Sequence, residues 1–144
     1  MKKKLNCVLL IDDDSATNFI NNMLIKKSGI TDRIEVALNG EEALEFLAKS
    51  GKHESIDAEK FPQPQLILLD INMPVMDGWE FIEAYEALDT DKKDNIVIVM
   101  LTSSFNSDDR IRAQTYGAIS NFKNKLLTSG MIQDIMNEHF TEYL

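Results

Sequence analysis

Cysteine is nearly missing from this sequence: Cys7 stands alone, so no disulfide can close within the chain. It lies in an apolar run and is expected to be a buried thiol rather than a reactive one. Histidine is almost as scarce. His53 and His139 are far apart and have no ligand-like spacing, so a metal site built on imidazole or thiolate is not expected. No apolar run reaches the ~18 residues needed to span a bilayer. The apolar stretch near the N-terminus is cut off by Asp12-Asp13-Asp14, unlike a signal peptide. Positive charge is also in deficit, with 15 Lys and Arg against 24 Asp and Glu and a net charge of −9. That balance disfavours nucleic acid and anionic membranes as partners, because both surfaces are negative. Lys2-Lys3-Lys4 is too short to make a basic patch. Repeats, low-complexity tracts and linkers are absent as well. The expectation is one domain over residues 1–144, without an output domain, in a reducing cytoplasm.

What is present is an ordinary globular composition, 44% apolar and 27% charged. Its centre is the stretch from Gln65 to Gly78. Leu66-Ile67-Leu68-Leu69 runs straight into Asp70, between Pro64 and Pro74. Four apolar residues without alternation predict a strand covered on both faces. Pro74 cannot donate to a ladder, and Asp77-Gly78 signals a turn and a helix start, so the strand ends near Asp70.

The rest of the chain alternates in the same manner. Leu5 to Ile11 predicts a first strand, ending in three aspartates. Ser15 is placed as the cap of a helix in which Phe19, Ile20, Met23, Leu24 and Lys27 follow helical spacing, stopped by Ser28-Gly29. Residues 32–38 predict a second strand, and Asn39-Gly40 turns into a helix through Ala43, Leu44, Phe46 and Leu47, ending near Ser50-Gly51. Residues 51–64 form a polar surface loop, longer than most. After the central strand comes a helix through Trp79, Phe81, Ile82, Tyr85 and Leu88, then a charged loop over 89–95. Ile96 to Leu101 predicts a fourth buried strand and 106–116 a helix closed by Gly117. Ala118 to Phe122 predicts a weak fifth strand. Thr128 caps a last helix with Met131, Ile132, Ile135, Met136 and Phe140 on one side. Five βα alternations imply an α/β fold, a parallel sheet with helices on both faces.

In such a sheet the carboxyl ends of the strands share one edge. That edge receives Asp12, Asp13 and Asp14, then Asp70, then Thr102, then Lys125. Carboxylates brought together repel unless a cation resolves the conflict. With only oxygen ligands on hand, the donor set selects a hard divalent ion, Mg²⁺ in the first place. A lysine and a hydroxyl at the same edge suit a phosphoryl group. The site thus predicts a carboxylate nucleophile that accepts a phosphoryl group beside a metal.

These segments resemble the receiver domain of two-component response regulators, the CheY-like family, over essentially the whole chain. Leu9-Leu10-Ile11-Asp12-Asp13-Asp14 is similar to the family's acidic-pair motif. Asp70-Ile71-Asn72-Met73-Pro74-Val75-Met76-Asp77-Gly78 matches its phosphoacceptor motif without a gap. Met100-Leu101-Thr102-Ser103-Ser104 resembles the segment of the conserved hydroxyl, and Phe122-Lys123-Asn124-Lys125 the aromatic and lysine motif. The resemblance implies a flavodoxin-like, three-layer α/β/α fold with five parallel strands in the order 2-1-3-4-5. It implies phosphorylation of Asp70 by a sensor histidine kinase or histidine phosphotransfer protein. Mg²⁺ (or Mn²⁺) would be bound by Asp13, Asp70 and the backbone carbonyl of Asn72, with Asp12 acting through water. Thr102 would meet a phosphoryl oxygen, Lys125 would pair with the phosphoryl group or Asp70, and Phe122 would be the switch aromatic. Asn72 and Ser104 sit where the family tunes the lifetime of the phosphorylated form. The signal would leave by binding an unidentified downstream protein or by onward phosphotransfer. Catalysis would be limited to the chain's own phosphorylation and dephosphorylation.

One departure stands out. The family usually carries proline after the lysine, commonly in a cis bond, whereas Leu126 follows Lys125 here. A cis bond before a non-proline costs ~2.5–4 kcal/mol, so either the chain holds that strain or the bond is trans. Two other functions compete. A haloacid-dehalogenase-type phosphatase would use Asp12 as nucleophile, but it needs a later acidic pair, and only Asp134 and Glu138 follow Lys125 among helical residues. A receiver-like module that is never phosphorylated would need none of the acidic, hydroxyl and lysine groups.

Overall fold

Strands without polar alternation must be covered on both sides, and the sheet is built that way. The structure, a computed structural model, describes residues 4–49, 62–88, 96–103 and 107–143. Its elements run β1 (Val8–Ile11), α1 (Ser15–Ser28), β2 (Ile34–Ala37), α2 (Gly40–Lys49), β3 (Leu66–Asp70) and α3 (Gly78–Glu86). They continue with β4 (Val97–Thr102), α4 (Ser107–Gln114), β5 (Ile119–Asn124), α5 (Ser129–His139) and a final 3₁₀ turn at Thr141–Tyr143. All strand pairs are parallel and the order is β2-β1-β3-β4-β5. The expected three-layer α/β/α architecture is therefore present.

Alternate residues of the three central strands feed two separate cores. Leu9, Ile11, Ile67, Leu69, Ile98 and Met100 pack with Ala43, Leu47, Phe81 and Ile82 of α2 and α3. Val8, Leu10, Leu66, Leu68, Val99 and Leu101 pack with Ile25 of α1 and Ile132, Ile135 and Met136 of α5. Each Val, Leu, Ile, Met or Phe side chain so buried contributes about 1.5–3 kcal/mol. Cys7 is fully buried, and burial pushes its thiol up to about 12, so it stays protonated and inert as expected.

Helix starts follow local chemistry. Asp77 caps α3, accepting from the Glu80 N–H at 2.8 Å, while the Glu80 carboxylate accepts from the Asp77 N–H at 3.1 Å. Thr128 caps α5 through Met131 N–H, and Asn39 accepts from Glu42 N–H. Arg112 of α4 lays its guanidinium 4.5 Å from the centre of the Trp79 ring, and Tyr116 stacks on the same ring, joining α3 to α4.

Several expectations are corrected. The cap of α1 is Asp14, not Ser15. Asp14 stands outside the acidic cluster, so its carboxylate is free to turn back to Ala16 N–H and the Thr17 hydroxyl. The helical spacing of Phe19, Ile20 and Met23 is real, but that side faces outward, Phe19 being 66% exposed, while Asn18, Asn21 and Ile25 face in. Strand β1 is shorter than residues 5–11, because Leu5 joins Thr31 only in an isolated bridge. Strand β5 runs on to Asn124 rather than stopping at Phe122, because its pairing with β4 continues to Thr102. Most of the 51–64 loop, the 89–95 loop, Ser104 and Asn106 lie outside the described residues.

The loop after β3 stores strain. Met76 N–H donates to Pro74 C=O at 2.7 Å around Val75, whose φ is +67°. This is the rare three-residue turn of positive φ, and a β-branched side chain suits it badly. Val75 is exposed, so removing it loses little burial. Val75→Gly should raise stability by about 1 kcal/mol net of the extra chain entropy of glycine. Urea melts of the two proteins check this, and a less stable variant would show that the turn holds no strain.

Candidate functional site

The register of the sheet brings the acidic groups together. Ile11 pairs with Leu69, so the next residues, Asp12 and Asp70, lie side by side at the carboxyl edge. Both are buried, and Asp13, one residue on, is exposed. One carboxylate oxygen from each of Asp12, Asp13 and Asp70 falls within 4.8 Å of the others. Asp12 is held on two sides, its Oδ1 accepting from Asp14 N–H at 2.9 Å and its own N–H donating to Ala37 C=O at 3.0 Å.

Lys125 enters from the neighbouring strand. Its backbone N–H donates to Thr102 C=O at 2.6 Å, which carries the β4–β5 pairing one residue past β5. From there Nζ lies 3.3 Å from Asp12 Oδ2 and 3.4 Å from Asp70 Oδ2. The described residues contain no cis peptide bond, so Lys125–Leu126 is trans, and Lys125 reaches the cluster without the family's proline. Lys123 points elsewhere, 3.9 Å from Glu138 on α5. Glu138 also accepts from Asn121, so one member of the acidic pair that a phosphatase of the alternative type would need is engaged away from the cluster.

The electrostatics follow from this crowding. Burial pushes the Asp70 carboxyl up to about 6, the Asp12 charge adds to the rise, and Lys125 opposes it. For Lys125 burial acts downward, but Asp70 and Asp12 together outweigh it and hold the ammonium above the usual lysine range. The site therefore has more negative charge than one lysine can balance. An all-oxygen donor set with that imbalance fits a hard divalent cation, and offers nothing to a soft one.

The remaining expected residues surround this cluster. Thr102 is buried at the end of β4. Asn72 lies two residues beyond Asp70, with an exposed side chain. Phe122 is half-buried, opposite Met100 in the register. It lines a groove of about 340 Å³ with Arg110, Ala113 and Asn121. Asn18 is a site residue that no sequence motif marks, and Gly78, which the sequence marks as a turn and helix start, has a packing role there as well. Asn18 donates Nδ2–H to the Asp12 carbonyl at 2.8 Å. Gly78 packs its Cα against the Asp70 and Ile71 backbone. The signal for Asn18 was an amide pair, Asn18 and Asn21, at helical spacing where apolar residues belong.

Comparison with known proteins agrees with this geometry. Residues 8–133 match the response regulator receiver domain. The chain is 34% identical over 104 residues to the response regulator Rcp1 of a Synechocystis species, covering 72% of this chain and 66% of Rcp1, just under two thirds of that protein. A crystal structure of a two-component response regulator from Cytophaga hutchinsonii superposes with a TM-score of 0.82 at 27% identity, covering 94% of this chain and 97% of the other. The Mn²⁺-bound form of Rcp1 superposes with a TM-score of 0.70 at 29% identity, covering 92% of each chain. With a match over most of its length, a shared strand order and an acidic cluster at the shared edge, the chain belongs to the response regulator receiver domain family.

Proposed function

We propose that this receiver domain takes a phosphoryl group onto Asp70 from a phosphohistidine of a sensor kinase or phosphotransfer protein, with Mg²⁺ (or Mn²⁺) bound. The observation that carries the reading is the meeting of Asp12, Asp13 and Asp70 with Lys125 bridging two of them. Asp12, Asp13, Asp70 and the backbone carbonyl of Asn72 would hold the cation. When bound, the cation offsets the repulsion among carboxylates and shares the charge of phosphoryl oxygens. Asp70, raised to about 6, is still ionised at neutral pH and is available as the nucleophile. Lys125 supplies a point charge, and the Thr102 hydroxyl a hydrogen bond, to the incoming oxygens. Thr102 and Phe122 would then shift, and the groove beside Phe122 supports room for such a change.

The donor is read as a protein rather than a small phosphate ester. The exposed apolar side of α1, at Phe19, Ile20 and Met23, begins one turn beyond the acidic cluster and supports that choice. The output is a changed affinity for an unidentified downstream protein, or onward phosphotransfer, in the cytoplasm. The chain turns over only its own acyl phosphate.

Intact mass after incubation with acetyl phosphate and Mg²⁺ tests the proposal. Wild type should gain one phosphate and Asp70→Asn none, and chelation with EDTA should abolish the gain. Repeated release of phosphate from a phosphate ester would favour the phosphatase instead. No added mass on wild type would leave only the unphosphorylated interaction module.

A further inference from the structure

Asn18 is a buried amide on the inward face of α1, where a helix normally turns apolar residues to the core. Its Nδ2–H donates to the Asp12 carbonyl at 2.8 Å, a buried hydrogen bond. Its Oδ1 is buried too, and has no hydrogen-bond partner among the described residues. An apolar side chain of the same branching would leave no unmet acceptor of its own, so packing does not explain the amide. The bond to Asp12 does.

That carbonyl belongs to the peptide between Asp12 and Asp13. A peptide is planar, so fixing the direction of its carbonyl fixes the path of the chain into Asp13. The other polar groups of Asp12 are already engaged: its N–H with Ala37, its Oδ1 with Asp14 N–H and its Oδ2 with Lys125. The Asp12 carbonyl is the group left for α1 to hold. We propose that Asn18 is a positioning residue for the cation site, its amide setting the peptide plane that aims the Asp12 and Asp13 carboxylates. The inference rests on the reading of that cluster as a divalent-cation site. Asn21 provides the internal comparison. It is equally buried on the same helix and, among the described residues, makes no hydrogen bond to the 12–14 loop.

The test is calorimetric titration of the full chain with Mg²⁺ alone, for wild type, Asn18→Leu and Asn21→Leu. Asn18→Leu should weaken Mg²⁺ binding about tenfold, the usual loss when a partner of a metal ligand is removed. Asn21→Leu should leave it unchanged within about a factor of two. With acetyl phosphate as donor, the Mg²⁺ concentration for half-maximal phosphorylation should rise about tenfold in Asn18→Leu, while the rate at saturating Mg²⁺ stays near wild type. Equal Mg²⁺ affinity in Asn18→Leu and wild type overturns the inference. So does an equal loss in Asn21→Leu, since that marks a general effect on the helix. A wild type that binds no Mg²⁺ overturns the cation reading and this inference with it. If Asn18→Leu lacks native circular dichroism, Asn18→Ala takes its place with the same outcomes.

Discussion

Asp70→Asn should make the metal-free protein more stable at pH 7.5, although it removes a partner of Lys125. The ionised Asp70 carboxylate is buried next to Asp12, and these two effects exceed the attraction of Lys125. The group rises from an ordinary 3.8 to about 6 on folding. Between those values the folded chain keeps a proton that the unfolded chain has lost. Stability from this group is therefore present at low pH and falls as pH rises from about 4 to about 6, then levels off. The full shift corresponds to at most about 3 kcal/mol, and screening by water at an open pocket reduces it to about 1–2 kcal/mol. Asparagine cannot ionise and carries no such loss. In EDTA the two proteins should converge near pH 4 and separate by about 3–6 °C in Tm above pH 6. Mg²⁺ should narrow the gap, because it binds the folded wild type more tightly than the variant and stabilises it by mass action. Thermal melts from pH 4 to 8, with EDTA and with Mg²⁺, check each part. A metal-free variant no more stable than wild type at pH 7.5 would mean that Lys125 already balances the cluster.

The same cluster shows why some of this molecule was legible in sequence and some was not. The run Leu66–Leu69 specifies a doubly covered strand because it has no polar face and, between Pro64 and Pro74, is too short for a buried helix. Once β1, β3 and β4 are such strands, a parallel register follows, and Asp12 and Asp70 arrive together. Helical spacing is less informative. It tells which residues share a side but not which side turns inward. In α1 the expected apolar stripe of Phe19, Ile20 and Met23 faces out, while the inner side carries Asn18, whose amide meets the Asp12 carbonyl. The end of β5 is hidden in the sequence for a related reason. Lys123 and Asn124 do not look like strand residues, and only their pairing with Leu101 and Thr102 makes them so. That pairing also decides between the two lysines, because it carries the Lys125 N–H to Thr102. Val75 was equally hidden, since its positive φ is set by the turn from Pro74 to Met76 and not by its own preference.

Gly78→Ala should be among the most damaging small substitutions, against what helix propensity alone suggests. Gly78 opens α3, and alanine there would gain up to about 1 kcal/mol in a helix considered by itself. The added Cβ, however, would stand 2.5 Å from the Asp70 carbonyl oxygen and 2.9 Å from Ile71 Cα. These are backbone atoms, so no rotamer change can relieve the contact. Either α3 moves away, losing the 2.8 Å bond from Gly78 N–H to Ile71 C=O, or the end of β3 moves. Overpacking costs about 1–3 kcal/mol and the lost hydrogen bond about 1 kcal/mol, so the clash outweighs the gain in propensity. A net loss of about 1–3 kcal/mol is expected in urea melts. The functional loss should exceed the share explained by unfolding. The atoms displaced belong to the residue proposed to accept the phosphoryl group, and a misplacement of about 1 Å can cost about a hundredfold in rate. Phosphorylation by acetyl phosphate should therefore slow about 10- to 100-fold in protein that is still folded. Gly117→Ala is the matched control: a Cβ there meets nothing within 4 Å among the described residues, and φ is not in the positive range, so stability and phosphorylation should both stay close to wild type. If Gly78→Ala behaved like Gly117→Ala, the end of β3 would be loose enough to yield, and Asp70 would not be held where the register of the sheet places it.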